Sequence, residues 1–450
     1  MNLGTNNKIQ KKGITLVIPN PCGNIKETKM KNSGIEWIGE IPDDWESIRL
    51  KYIYSTTKAK LPKQFYDDKN LTPYLSMDFI RDSINTEPVY AKDGDYCSEE
   101  DILILWDGSN AGEIVFNHPA GYAPSTTAIL KKLSTQSLPV YDKFYLKALE
   151  DDLRRNTNGM GIPHVNGSYL NNSLFLLPPK STQQRIASYL DKKCNKIEET
   201  IQNQQQVIEK LKAYKQSLIT EAVTGKVKIE NGKACGEYES YKDSGVEWIG
   251  KIPSEWEVKK LKFSSQIMRG LFSHRPRNDP DYYDGVHPFI QTGEVARAVK
   301  YITTYSQTLN ELGFSVSREF PAGTVLLTIA ANVGDVAILD FNACFPDSVI
   351  GFYPKENVSK IFMFYVLKSM KEQFMRNAII STQMNLNINI VKEEFIPLPS
   401  LAEQKEIVKF LEKKSDYIDT AIEQKQNLIE KLTEYKKSLI YECVTGKKEV

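Results

Sequence analysis

Residues 207–226 read VIEKLKAYKQSLITEAVTGK, and residues 428–447 read LIEKLTEYKKSLIYECVTGK; fourteen of the twenty positions are identical. Traced back from the first copy, a seam recurs at alternating steps of four and three: Leu190, Cys194, Ile197, Ile201, Gln204, Ile208, Leu211, Lys215, Leu218, Ala222. The second copy repeats it as Leu411, Ser415, Ile418, Ile422, Lys425, Ile429, Leu432, Lys436, Leu439, Cys443. That spacing is the heptad signature of a two-helix coiled coil. Each run opens after a proline-marked stop, LLPPKSTQQ and PLPSLAEQK, which suits a helix start. Each closes at Val-Thr-Gly-Lys, where glycine suits a helix C-cap. At ~1.5 Å per residue the run predicts a rod of roughly 60 Å. Gln204 and Lys425 stand at equivalent seam positions, as do Lys215 and Lys436. Polar seam residues cost stability but restrict register and partner, so the two helices are expected to pair with each other rather than to lie in separate cores.

A second block opens each half. SGIEWIGEIPDDWE (33–46) returns as SGVEWIGKIPSEWE (244–257), with ten of fourteen positions identical. The regions between align faintly: DILILWDGSNAGEI (101–114) faces GTVLLTIAANVGDV (323–336), with Asn110 opposite Asn332 and Gly112 opposite Gly334. The chain therefore reads as a tandem duplication with matched ends and unlike middles. The period is far above the 20–50 residues of a solenoid. Within the middles, short β-type runs alternate with Gly-, Asn- and Pro-rich loops, and one helical stretch follows in each. The expected fold class is α+β, with two globular modules in tandem separated by two long helices. The expected boundaries are a leader at 1–30, a first module at 31–177, a central helix at 178–226, a linker at 227–243, a second module at 244–398 and a terminal helix at 399–450. Residues 1–29 have no counterpart in the second copy, which suggests a disordered basic leader or a start codon placed upstream.

Composition bounds the rest. A chain of 450 residues implies two to four domains, and 41% apolar with 26% charged residues is the balance of a soluble protein. No apolar run reaches the roughly 18 residues of a membrane span, and no secretory leader is visible. Six cysteines without a Cys-x-x-Cys pair argue for reduced thiols in a cytoplasm. A net charge of +1 gives no global basic field, so nucleic-acid binding would rest on local patches or on a partner's surface. The four histidines form no His-Glu-x-x-His, and Val-Thr-Gly-Lys lacks the upstream glycine of a phosphate loop. Gly159-Met160-Gly161 lacks the third glycine of a dinucleotide fingerprint. Pro42-Asp43 with Asp67-x-Lys69 resembles a nuclease motif only loosely, and Ser254 replaces Asp43 in the second copy. No Asn-Pro-Pro-aromatic or Asp-Pro-Pro-aromatic tetrapeptide is present to hold a base for methyl transfer. No catalytic residue and no metal site is assigned.

What remains is basic, polar and aromatic chemistry in the divergent middles. The second module carries Arg269, His274, Arg275 and Arg277 around Phe272; the first carries Lys58, Lys60 and Lys63 beside Phe65, and Arg154, Arg155 and Asn158 near its end. Arg and Lys neutralise phosphates or fork onto guanine, and Asn or Gln pairs with adenine. Loop position adds Asp107-Gly108-Ser109-Asn110, the stretch from Asn158 to His164, Asn332, and Thr382-Gln383-Met384-Asn385. Ser109, Asn110, His164, Asn332, Gln383 and Asn385 complete the DNA-contact candidates. Trp37, Ile41 and Trp45, like Trp248, Ile252 and Trp256, are apolar enough to anchor a module entrance against the rod or against a partner.

The W-I-G-x-I-P-x-x-W block, the P-x-x-x-(E/T)-Q helix start and the L-I-x-E-(A/C)-V-T-G-K helix end together resemble the DNA specificity subunit of type I restriction–modification systems, over nearly the whole chain from about residue 31. The resemblance implies two variable target-recognition domains, each reading half of a bipartite site in double-stranded DNA, with antiparallel helices as the spacer. It implies no chemistry and no cofactor on this chain. Two methyltransferase subunits would bring S-adenosylmethionine, and restriction–translocase subunits would bring ATP and Mg, in a prokaryotic cytoplasm and without a membrane. Two other classes remain open: a coiled-coil scaffold with no DNA role, and a single-chain restriction enzyme whose catalytic domain carries no visible motif. Salt-dependent DNA binding separates the first, and cofactor binding by the isolated protein separates the second.

Overall fold

The computed structural model describes residues 29–82, 84–159, 161–378 and 385–450. Of the expected leader, residues 1–28 lie outside the described residues, and Met30 already belongs to a strand. The chain is α+β, with two sheet-rich lobes linked by two 44-residue helices, Lys180–Val223 (the central helix) and Leu401–Val444 (the C-terminal helix). It divides into two compact units. One comprises the chain up to Thr200 together with Lys431–Val450, and the other comprises Ile201–Glu430. Each unit thus holds part of both long helices.

In the first unit, Met30–Asn32 and Glu40–Pro42 form an antiparallel hairpin, and Glu46–Arg49 pairs with Leu174–Leu177. A four-stranded antiparallel sheet follows in the order Ile114–Val115, Ile102–Leu105, Thr127–Lys132, Tyr54–Lys58. Ile102–Leu105 is buried at every position, which is why DILILW is a continuous apolar run and not an alternating one. Pro139–Arg155 packs beside it as an amphipathic helix that buries Tyr141, Tyr145, Leu146, Leu149 and Leu153. The second unit repeats the plan. Tyr241–Asp243 pairs with Lys251–Pro253, and Glu257–Lys260 pairs with Phe395–Leu398. Its main sheet runs Ser265–Arg269, Val349–Pro354, Val325–Thr328, Val336–Leu339, Tyr301–Ile302, the last strand parallel. Its core joins Val325, Leu327, Ile350 and Phe352 to Phe362, Val366 and Phe374 of the helices that follow. The segment 227–243, read as a linker, carries a hairpin of Lys228–Glu230 with Lys233–Gly236, and Glu406 accepts the backbone N–H of Gly232 at 2.7 Å.

The long helices pair in antiparallel fashion in both units. In the first, Leu190, Cys194 and Ile197 are buried with Leu439 and Cys443, and Lys436 bonds Glu198. In the second, Lys215 reaches both oxygens of Asp419 at 2.7 and 2.6 Å, and Lys425 donates to Gln204 at 3.0 Å. Of the two pairs of polar seam residues matched by sequence, Gln204 and Lys425 are therefore bonded to each other, the contact that duplicated antiparallel helices make at their midpoint, whereas Lys215 and Lys436 pair with Asp419 and Glu198. Ile201, Leu211, Ile422, Ile429 and Leu432 are only half-buried, as the seam of two helices without a third element must be.

Both Val-Thr-Gly-Lys segments are helix caps. Lys226 N–H bonds Glu221 O and Gly225 N–H bonds Ala222 O; Lys447 and Gly446 make the same bonds to Glu442 and Cys443. Gly225 and Gly446 stand at φ +71° and +73°, the left-handed position that ends a helix. A glutamine secures each helix start. Gln183 accepts from Leu138 N–H and donates to Pro178 O, both at 2.8 Å; Gln404 accepts from Ser359 N–H at 2.8 Å and donates to Asn357 O and Pro399 O at 3.0 Å. Both are buried, so the Q of the helix-start motif closes backbone hydrogen bonds.

Candidate nucleic-acid interface

The entrance blocks build the mounts on which the modules sit. Ile41, Trp45, Ile252 and Trp256 are buried, and Trp256 Nε1 donates to Glu403 at 3.1 Å. In the second unit, Pro253 and Trp256 lie against Gly225 at the end of the central helix. A Cβ there would fall 2.4 Å from Pro253 Cδ. In the first unit, Pro42 and Trp45 lie against Gly446, where a Cβ would fall 2.3 Å from Pro42 Cδ. The first entrance block therefore sits on the end of the last helix.

Trp37 and Trp248 are placed differently, half-exposed and each lining a groove. Trp37 faces the Tyr441 and Tyr145 rings at 6.0 and 6.5 Å, and Tyr441 donates to its carbonyl at 3.0 Å. Its groove, about 500 Å³, is walled by Lys147, Arg155 and Lys436. The groove at Trp248, about 540 Å³, is walled by Gln216, Thr220, Glu372 and Arg376. The indole N–H of Trp248 is buried without a hydrogen-bond partner among the described residues.

Sheet register identifies a second shared feature. In the first unit Thr127 pairs with Leu105 and Ala128 with Lys58; in the second, Val349 pairs with Thr328 and Ile350 with Arg269. Lys58 and Arg269 are thus equivalent, each at the same end of its sheet. Two loops converge on that end in each unit. Asp107 bridges to His164, and Ala330 bridges to Asn385. Candidates from separate parts of the sequence are brought together here: Lys58 and His164 meet at Asp107, which opens the loop carrying Ser109 and Asn110, and Asn158 bridges to His164; in the second unit Asn385 bridges to Ala330, at the start of the loop carrying Asn332. One expectation changes in detail. Leu105 corresponds to Thr328, not Leu327, and the first loop is one residue longer before Gly112 and Gly334 restore the match at φ +92° and +90°. Each of these glycines takes the N–H···O bond that closes its loop, to Leu105 and Thr328 respectively.

The chemistry on the two faces differs. In the first unit, Asp107 accepts from Lys58 Nζ at 2.7 Å and lies 2.6 Å from His164 Nδ1. Partial burial pushes the Asp107 carboxyl up, but Lys58 and His164 outweigh it and hold it below the usual carboxylate range. In the second unit, the carboxylate comes from Asp347, which sequence reading missed because FPDSV carries no local signal. It engages Arg277, lies 3.6 Å from Arg275 Nη2, and accepts from Arg269 through its backbone carbonyl. Arg275 also donates to the carbonyls of Phe272 and His274, both at 2.7 Å. His274 stacks on Tyr282 at 3.8 Å and lies 3.0 Å from Asp279.

The remaining candidates scatter. Lys60 and Lys63 are exposed on the segment after Lys58, with their backbone N–H groups on Asp95 and Asp93. Arg154 backs the loop at Gly112, whereas Arg155 turns to the Trp37 groove. Gln383, with Thr382 and Met384, and Met160 lie outside the described residues. Among the described residues no group of three or more His, Cys, Asp or Glu side chains is placed to hold a metal ion, and no helix is long and apolar enough to cross a membrane. The five cysteines among them, Cys97, Cys194, Cys235, Cys344 and Cys443, are free.

Comparison with known proteins gives this geometry its context. The chain is 29% identical over 407 residues to the MjaVIII specificity subunit of Methanocaldococcus jannaschii, covering 84% of this chain and 88% of that protein. It is 24% identical over 423 residues to the EcoBI specificity subunit of Escherichia coli, covering 89% and 85%. A chain in a solved type I restriction–modification structure shares the fold with a TM-score of 0.66 at 14% identity, over 91% of this chain and 99% of that one. The family model described as type I restriction modification DNA specificity domain matches twice, at residues 42–210 and 253–432. Each match runs from an entrance block through a module into a long helix, and with both copies accounted for, the chain belongs to the DNA specificity subunits of type I restriction–modification systems.

Proposed function

We propose that each strand-end face reads one half of a bipartite DNA site, with modules 31–177 and 244–398 as the readers and the paired helices setting the unread spacer. A specificity subunit of this family binds DNA sequence-specifically and directs methyltransferase and endonuclease partners. The observation that carries the finer reading is the contrast between equivalent faces: Lys58, Asp107 and His164 on one, Arg269, Asp347 and Arg277 on the other. Closely matched supports with unlike polar sets fit two unlike half-sites, because phosphate contacts position a protein while base-edge contacts specify sequence. The grooves at Trp37 and Trp248 are then docking positions for two methyltransferase subunits. Their walls differ in charge, so the shared anchor is the indole.

The test is a map of methylated bases in cells that carry this chain with its partner methyltransferase. An asymmetric motif of two defined parts around an undefined spacer is expected; a continuous or palindromic motif refutes the two-reader reading. Salt-dependent binding of the assembled complex to DNA excludes the scaffold alternative.

A further inference from the structure

Two guanidinium groups face a single carboxylate at one end of the second unit's main sheet, and two more bond the backbone beside it. Arg277 and Arg275 face the Asp347 side chain, Arg269 bonds the Asp347 carbonyl, and Arg318 donates to the Arg269 carbonyl at 3.1 Å. The Arg277 and Asp347 side chains remain 45% and 30% exposed, and an ion pair so open to water contributes little to stability. A carboxylate on a face that meets a polyanion is unfavourable unless it does something else. Holding an arginine is such a task. A free Arg side chain gives up rotamer entropy when fixed, and a partner present before DNA arrives removes part of that cost. A phosphate accepts a cation from many directions and needs no such fixing, whereas bidentate recognition of a guanine edge does. The surroundings are built to the same end. Arg275 is tied to two carbonyls, the Arg277 carbonyl accepts from Tyr283, and His274 is stacked and hydrogen-bonded beside them.

We infer that Arg277 reads a guanine in the half-site of the second module and that Asp347 is its positioning residue. The inference rests on the proposal that this face meets DNA. The same position in the first unit is Ser125, so the device belongs to one half-site only.

The test uses the complete complex of this chain with its methyltransferase, mapping methylated sites for wild type, Arg277→Lys and Asp347→Asn. Arg277→Lys keeps the charge and loses the fork. It is expected to relax one guanine position of one half-site by roughly ten- to a hundredfold and to leave the other half-site intact. Asp347→Asn is expected to relax the same position, with a smaller effect. Retained discrimination at every position in both variants overturns the inference. So does uniform weakening at all positions with a shallower salt dependence, which marks Arg277 as a phosphate contact. If methylation is lost altogether, binding to duplexes with and without the guanine gives the same discrimination ratio. A wild-type map without a bipartite motif refutes the underlying two-reader proposal instead. The intact first half-site serves as the folding control.

Discussion

Alanine at Gly446 tests the mount directly. Two costs add at that position. At φ +73° an L side chain sits in the left-handed region, at about 1–2 kcal/mol. Its Cβ also lies 2.3 Å from Pro42 Cδ and 2.6 Å from Cγ, where carbon atoms prefer roughly 3.5–4.0 Å. Forcing such a contact into a packed site costs about 1–3 kcal/mol. The substitution returns roughly 0.4–1 kcal/mol through the stiffer unfolded chain. The net expectation is a loss of about 2–4 kcal/mol. Gly39→Ala is the internal control, because Gly39 has φ +76° but nothing within 4 Å of a Cβ. It should lose only about 0.5–1 kcal/mol, so the difference between the two variants isolates the contact with the entrance block. Gly225→Ala should behave like Gly446→Ala, since its Cβ meets Pro253 Cδ at 2.4 Å at φ +71°. Urea unfolding followed by hydrogen exchange should assign the Gly446 loss to the first unit and the Gly225 loss to the second. Gly446→Ala and Gly39→Ala agreeing within about 0.5 kcal/mol would refute the close seating of Pro42, because the backbone cost alone would then explain both.

Other outcomes follow from single contacts. Inserting one heptad after both Gln204 and Lys425, the bonded pair, lengthens each helix by about 10 Å and should widen the unread spacer by about three base pairs, with both half-sites still present in a methylation map; an unchanged spacer counts against the coiled coil as ruler. Gln404→Ala leaves the Ser359 N–H and the Asn357 and Pro399 carbonyls without their partner, and should cost about 2–4 kcal/mol in urea unfolding; a loss under about 1 kcal/mol would show that water replaces the amide. Burial, then the neighbouring Lys215, pushes the Lys368 ammonium down to about 8 from 10.5. The folded state therefore disfavours its proton, and this group's contribution to stability is most favourable above pH 10.5, falls as pH drops toward 8 and is constant below. Lys368→Met should stabilise the second unit by roughly 2–3 kcal/mol at pH 7 and progressively less above pH 8, and a pH-independent difference refutes the assignment.

The paired helices were legible because heptad spacing and proline stops are local signals, and Gln204 with Lys425 could be matched by counting. The seating of Pro42 on Gly446 was not, since some 400 residues separate them and neither segment carries a mark of the other. On the strand-end faces, residue type picked out Lys58, Arg269, Arg275 and Arg277. Asp347 escaped because a lone acidic residue in a short loop is ordinarily solvated surface, and only its neighbours in space give it a task. Arg155 illustrates the converse. It adjoins Arg154 in sequence, yet the helix turn of about 100° between them sends it to the Trp37 groove.

The duplicated blocks pair across copies, and this accounts for where the modules are free to differ. Pro42 and Trp45 are served by the second Val-Thr-Gly-Lys, and Pro253 and Trp256 by the first, so both mounts use the same parts. Between Lys58 and Leu105 the first module spans 47 positions, and between the equivalent Arg269 and Thr328 the second spans 59. Those twelve extra residues enter and leave the sheet without shifting the register of Val349 and Ile350 against their neighbours. A module whose length changes are absorbed between fixed strand ends keeps its mount unaltered. The same logic predicts that cutting the chain after Glu430 strips Gly446 from Pro42 and Trp45, destabilising the first module although every residue of 31–177 is still present. Hydrogen exchange of Ile41 and Trp45 in such a truncated chain, rising toward that of a local opening while the second unit stays protected, is the expected result, and unchanged protection in both units would show that the first module carries its own mount.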